Sequence, residues 1–323
     1  MRSPLSSMIR AVPLLAVFSH SGVAWHPSTY SLRKGIQGES FYDDFVWESI
    51  ADPTHGRVNY VDQETSRWQN LTFATRDSFI LRTDSTNIIP TDGPGRNSVR
   101  LRSKEKFKTH VSIFDVRHMP VGCGTWPAIW TVGENWPHGG EIDILEGVND
   151  EAPNASTLHT GRGCTMPTEN GPQTGHRMLN NCDASVNNNV GCPVDFPSHD
   201  SYGPGFNAAG GGWYVMERND DFIKIWFWSR QDPNVPEDVK NPVWNVAPSN
   251  WGTPSAYFPG DSCNMSDFFA PHWIVINLTL CGDWAGTVYQ YSNCPSTCVD
   301  HVNNNPWAFE NAYFDIAQIR IYT

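Results

Sequence analysis

The chain has 323 residues, a formal net charge of −12 and 17% charged residues. Nucleic acid would require a basic face that this balance does not supply, so no nucleic-acid partner is expected. No apolar run is long enough to cross a bilayer, so no membrane partner is expected either.

At the N-terminus, Arg2 and Arg10 precede an apolar run from Ala11 to Phe18 and the small residues Ser21-Gly22-Val23-Ala24. That is the layout of a secretory signal peptide with cleavage expected after Ala24, giving a secreted, extracellular protein. No linker or repeat divides residues 25–323, which read as one domain. Helical periodicity is nearly absent there. Short β-rich runs recur between Gly/Pro/Asn turn signals: Ser98–Arg102, Val111–Val116, Ala128–Val132, Glu141–Glu146, Trp213–Glu217, Phe222–Trp228, His272–Leu280 and Phe314–Tyr322. In Phe222–Trp228, Ile223, Ile225 and Phe227 take one face and Lys224, Trp226 and Trp228 the other. In Phe314–Tyr322, strict alternation predicts a buried face of Ala317, Ile319 and Ile321, opposite Ile316, Gln318, Arg320 and Tyr322. Many short strands separated by loops point to an all-β antiparallel sandwich.

Eight cysteines in a secreted chain are read as disulfides, with the pairing left open. The long segment Met166–Phe206, with Cys182 and Cys192 inside it, is expected to be stapled rather than helical. No cysteine or histidine pair has zinc-finger spacing, so no metal is expected. Glycosylation sequons begin at Asn70, Asn154, Asn264 and Asn277, the last inside an apolar strand-like run that makes it a poor acceptor. Several of the 14 tryptophans lie among Gly, Pro and Asn. Broad aromatic faces dock onto sugar rings as readily as they fill cores, and at least half are assigned to the core.

The most informative segment is Gly140-Glu141-Ile142-Asp143-Ile144-Leu145-Glu146-Gly147. Ile142, Ile144 and Leu145 demand burial while the acids between them demand a polar surface. A helix would scatter the three acids around its circumference. A regular strand puts Glu141 and Asp143 on one face and turns Glu146 away. One bulged residue brings all three to the same face, and bulges favour active sites. The glutamates are then about 13 Å apart at Cα, a gap that leaning side chains can narrow toward the roughly 5–5.5 Å used in double displacement. The bland alternative, a charged wet face, would set like charges side by side at an energetic cost.

With Gly124-Thr125-Trp126-Pro127-Ala128-Ile129-Trp130, Asn135-Trp136-Pro137, Gly95–Arg100, Ser156–Thr160 and Cys281–Gly286, this segment resembles glycoside hydrolase family 16, most closely the fungal secreted endo-1,3(4)-β-glucanases or laminarinases. The resemblance implies a β-jelly-roll of two curved antiparallel sheets with a concave substrate cleft. The extra residue between Asp143 and Glu146 is similar to the bulged laminarinase group; agarases and carrageenases share it, and the flanking blocks favour glucanases. Carried over by position, it implies Glu141 as nucleophile, Glu146 as general acid/base and Asp143 as the assisting acid. It implies sugar-stacking roles for Trp130, Trp136 and Trp284, and for Trp126 either a cleft role or packing beneath the sheet. His159 would contact Glu146 or a glucosyl hydroxyl, and Asn59 and Arg96 would line the non-reducing side of the cleft. No cofactor is needed, and no acidic loop identifies the structural calcium that some relatives carry. The expected protein is a monomeric enzyme whose partner is a polysaccharide, β-glucan. A cell-wall transglycosylase and a non-catalytic glucan-binding protein stand as alternatives, the latter disfavoured because all three acids are present. Lipase-elbow, zinc-protease and phosphate-loop motifs do not occur.

Overall fold

The computed structural model describes residues 29–323; the expected signal peptide lies outside the described residues. Seven of the eight β-rich runs become strands, while Ser98–Arg102 is split between Arg96–Ser98 and Arg100–Phe107, and most strands assemble into two large antiparallel sheets. The eight-stranded sheet runs, in spatial order, His176–Arg177, Val194–Asp195, Ala155–His159, Glu141–Glu146, Thr125–Val132, His272–Leu280, Arg100–Phe107 and Phe45–Trp47. The nine-stranded sheet is built around Tyr30–Ile36, Tyr313–Tyr322, His110–His118, Gly212–Arg218 and Phe222–Ser229. A short parallel pair, Val58–Tyr60 with Arg96–Ser98, stands apart from both.

Period-two alternation decides which side chains meet between the sheets. Ile129, Ile142, Leu158, Ile274 and Ile276 from one sheet share a core with Phe114, Tyr214, Met216, Ile223 and Ile225 from the other. Full burial of one such aliphatic side chain stabilises by about 1.5–3 kcal/mol. The opposite face of the eight-stranded sheet is left to Trp126, Trp130, Asn277 and the acids, and it forms the floor of the site.

The opposite face of the nine-stranded sheet is covered as well. Val111, Ile113, Trp213, Val215, Trp226 and Trp228 form a second cluster under Val235, Val239, Val246 and Trp251. Strand 222–229 is therefore apolar on both faces. Strand Tyr313–Tyr322 departs from the expected alternation, because its pairing with His110–His118 shifts at Asp315/Ile316 and again at Ile316/Gln318. Phe314 and Ile316 consequently join Ile319 and Ile321 in the inter-sheet core. Arg320 is buried on the other side, donating to the carbonyls of Val239 and, at 2.7 Å, Asn241.

All eight cysteines pair: Cys123–Cys294, Cys164–Cys263, Cys182–Cys192 and Cys281–Cys298. Residues 166–206 are largely irregular and stapled by Cys182–Cys192, with 3-10 turns at Asn187–Asn189 and His199–Ser201 and a short α-helix beginning at Gly203. No helix among the described residues is long and apolar enough to cross a membrane.

Candidate active site

Glycine brackets the acidic strand. Gly140 has φ of +79°, and a Cβ there would lie 2.5 Å from the Phe268 carbonyl oxygen and from the Phe269 ring. A Cβ on Gly147 would lie 2.5 Å from the Tyr202 ring. Between them, Glu141 pairs with Val132 and Asp143 with Trp130; the register then shifts, so that Leu145 pairs with Ile129 and Glu146 with Ala128. Unshifted, Glu146 would face Pro127, a core-side position. The bulge at Ile144 sets it on the face of Trp130 and Val132 instead, while Ile142, Ile144 and Leu145 stay fully buried. The expected kink is present, and its physical cause is the conflict between apolar and acidic neighbours.

His159, opposite Glu141 on the adjoining strand, completes the cluster. One oxygen of Glu141, one of Asp143 and a ring nitrogen of His159 lie within 4.8 Å of one another. Nε2 of His159 is 3.3 Å from Oδ2 of Asp143, and its Nδ1 donates to Oδ1 of Asn189 at 2.9 Å. With Nδ1 protonated, a neutral ring would aim a lone pair at a carboxylate, so a proton belongs between Nε2 and Asp143. Burial drives the Asp143 carboxyl well above its ordinary range, reinforced by the charges of Glu141 and Glu146. Burial alone would lower His159, but its bond to Asp143 and the surrounding carboxylates raise it to about 10. The cluster as a whole holds protons that isolated groups would release. Glu146 is pushed up to about 7, mainly by burial; the Trp126 indole and His159 pull it down and Glu141 pushes it up. These three ligand types also have the spacing to hold a cation, yet the same contacts serve proton retention.

Two tryptophans hold the two glutamates. Trp126 Nε1 donates to Oε1 of Glu146 at 2.9 Å, and Trp136 Nε1 donates to Oε2 of Glu141. The Trp126 ring stands edge-on to Trp284 at 5.7 Å and 87°. Trp136 is 48% exposed, leaving a broad face for a ligand. Trp130 is partly exposed; its Nε1 donates to Oδ1 of Asn277 at 2.7 Å, and the Arg100 guanidinium lies 4.9 Å from its ring centre. Asn277 in turn donates to the Tyr60 hydroxyl at 3.2 Å. A hollow of about 580 Å³ is lined by His55, Arg57 and Asp283 among others, and by none of Glu141, Asp143 and Glu146.

Arg96 is a correction. Its guanidinium is fully buried and spends its donors on the Val302 carbonyl, the Asp84 carboxylate at 3.0 Å and the Asn87 carbonyl at 2.9 Å. It buttresses a loop junction and presents nothing to a cleft. Asn59 is partly exposed, bonded to Asn97 at 2.7 Å, with no contact to the carboxylate cluster. The sequence reading missed Asn189, Tyr60 and Asn154. Asn189 carried a faint signal as the last of three consecutive asparagines, all with positive φ, beside the Cys182–Cys192 staple.

A family model described as XgeA-like, catalytic GH16 domain matches residues 45–322. An endo-1,3(4)-beta-glucanase of Arthroderma benhamiae is 40% identical, over 91% of this chain and 65% of its own length. Among solved structures, laminarinase 16A from Phanerochaete chrysosporium, with two beta-glucans (6-O-glucosyl-laminaritriose) in its donor and acceptor sites, matches with a TM-score of 0.91 and 54% identity, covering 92% of this chain and 100% of that one. An elongating GH family 16 beta-1,3-glucosyltransferase matches with a TM-score of 0.85 and 39% identity, covering 91% and 100%. The chain spans between 44% and 65% of the length of the curated endo-1,3(4)-beta-glucanases it matches. The jelly-roll expectation holds for both sheets, and with a family match running from Phe45 to Tyr322 the chain belongs to glycoside hydrolase family 16.

Proposed function

We propose that this protein is a secreted, monomeric, retaining endo-β-glucanase cleaving internal β-1,3 bonds, and mixed 1,3/1,4 bonds, of glucans. The observation that supports the reading is the register shift before Leu145, which puts Glu146 on the sheet face of Glu141, where burial raises its pKa to about 7. Trp136 engages Oε2 of Glu141, so Oε1 is the oxygen left to attack the anomeric carbon. Trp126 engages Oε1 of Glu146, so Oε2 is left to carry the proton to the departing glycosidic oxygen. In the first step the C–O bond to the leaving sugar breaks, an ester to Glu141 forms and Glu146 becomes anionic. In the second, Glu146 takes a proton from water, the hydroxide displaces Glu141, and the starting charge states return. Asp143, sharing a proton with His159, assists from between the two glutamates, whose charges help it hold that proton. Trp130, Trp136 and Trp284 supply stacking faces.

The named glucanase relatives and the glucan-bound structural neighbour support this substrate class. Four disulfides fit an oxidising compartment. The test is NMR of fresh products from laminarin, lichenan, barley β-glucan, agarose and κ-carrageenan. Cleavage of the glucans with the β-anomer released first is expected. An α-anomer first rules out the covalent step, and activity confined to the galactans overturns the substrate assignment. The glucosyltransferase neighbour gives transfer a specific footing; products longer than the donor at high oligosaccharide concentration would assign it.

A further inference from the structure

A bulge frees backbone groups as well as turning a side chain. Strand Glu141–Glu146 pairs with Ala155–His159 only as far as Asp143 opposite Thr157. Beyond that point the Ile144 carbonyl and the Glu146 N–H face a strand that no longer offers them backbone partners. Side chains take over. Nδ2 of Asn154 donates to the Ile144 carbonyl at 3.0 Å, while its Oδ1 accepts from the Glu146 N–H at 2.9 Å. Oγ of Ser156 donates to the same Ile144 carbonyl at 3.0 Å. Both side chains are fully buried. Asn154 is itself anchored, its N–H donating to Ser201 Oγ at 3.0 Å and its carbonyl accepting from Phe196 N–H at 2.9 Å.

The Asn154 carboxamide thus acts as a substitute peptide unit, one donor and one acceptor on a single fork. Asp lacks the donor, and Ala lacks both. We propose that Asn154, seconded by Ser156, is a positioning residue for the general acid: it locks the bulge and so holds the Glu146 carboxyl on the cleft side. The same geometry assigns the sequon Asn154-Ala155-Ser156 a structural use. The nitrogen that would carry a glycan is the one bonded to Ile144, in a site without solvent. The inference rests on the reading of Glu146 as acid/base.

The test compares two substrates, a laminari-oligosaccharide and an aryl β-laminaribioside with a 2,4-dinitrophenolate leaving group. Dinitrophenolate departs without a proton, so its glycosylation step does not need the general acid. In Asn154→Ala, kcat/KM on the oligosaccharide is expected to fall about 30–100-fold, below the full worth of a general acid, and by less than about 3-fold on the aryl substrate. Azide should accelerate turnover of the aryl substrate and yield a β-glycosyl azide, because it attacks the Glu141 ester without needing a base. Equal losses on the two substrates, or no loss, overturn the proposal. If Asn154→Ala does not fold, Ser156→Ala, which keeps both Asn154 bonds, should show the same split at about 3–10-fold; equal behaviour on both substrates there overturns it too. Glu146→Ala must show a larger split: its absence there sinks the acid/base assignment itself, whereas its presence in Glu146→Ala alone sinks only the clamp. Peptide mass spectrometry should find Asn154 unmodified in active enzyme, and a glycan there also overturns the proposal.

Discussion

Trp126→Phe isolates the bond that tunes the proposed acid. The indole N–H meets Oε1 of Glu146 at 2.9 Å, and it opposes the burial that lifts this carboxyl to about 7. A donor on a carboxylate favours the charged form, so deleting it raises the pKa further. Hydrogen bonds to charged groups are worth about 1.5–3 kcal/mol. Because Glu146 retains some solvent access, the lower end applies, about 1 pKa unit. The first chemical step needs Glu146 protonated, so the alkaline limb of kcat/KM follows its pKa in the free enzyme. That limb should move from about 7 in the wild type to about 8 in the variant. Phe retains most of the ring that packs against Trp284, so the height of the profile is expected to drop only a few-fold. A kcat/KM–pH series on a laminari-oligosaccharide reads both quantities. A limb that stays put, or moves to lower pH, refutes the role of the bond or of Glu146.

Replacing Glu141 with Gln should abolish nearly all turnover; a residual rate above a few per cent of wild type would unseat it as nucleophile. Glu146→Gln should be inactive on unactivated glucans yet more stable at neutral pH. The folded pKa of about 7 lies above the ordinary carboxyl value of 4.5, so the wild type holds its full contribution below pH 4.5 and loses it as pH rises through 7. The gain in the variant should therefore be near zero at pH 4.5 and reach about 1–2 kcal/mol by pH 8, discounted for solvent access; a gain independent of pH in thermal melts contradicts the burial of this acid. Removing both Cys182 and Cys192, separated by 10 residues, should cost roughly 2.7 kcal/mol by loop entropy. It should also loosen Asn189 from His159 and lower kcat; denaturant midpoints and kinetics measure the two effects separately, and full activity at reduced stability would show that Asn189 does not matter.

What the sequence made legible was whatever a local conflict forced. Three acids among Ile142, Ile144 and Leu145 admit one backbone solution, a bulged strand, and the register shift before Leu145 is that solution. The apolar run His272–Leu280 kept its expected bounds. Failures arose where a long-range contact decides. Arg96 was expected at the cleft by resemblance, and nothing local says where a guanidinium points; its direction is set by Val302 and Asp84. Ile316 switched face because of two pairing irregularities, one leaving Arg117 extra on the neighbouring strand and one leaving Ala317 extra on its own, which strict alternation does not announce. Asn154 was hidden differently, since an Asn-x-Ser triplet already had an explanation as a glycan acceptor. Yet a predicted bulge has a consequence that local reasoning can reach: it strands a carbonyl and an N–H, and buried groups of that kind must find partners. A side chain that offers a donor and an acceptor on two atoms of one planar fork, as a peptide unit does, is Asn or Gln. In the stretch from Val148 to His159 the candidates are Asn149 and Asn154, and Asn149 is already spent on Gly124 and Ala285. Accounting for the backbone groups released by the bulge therefore leads from the acid motif to Asn154, a step that inspection of the acids alone does not supply.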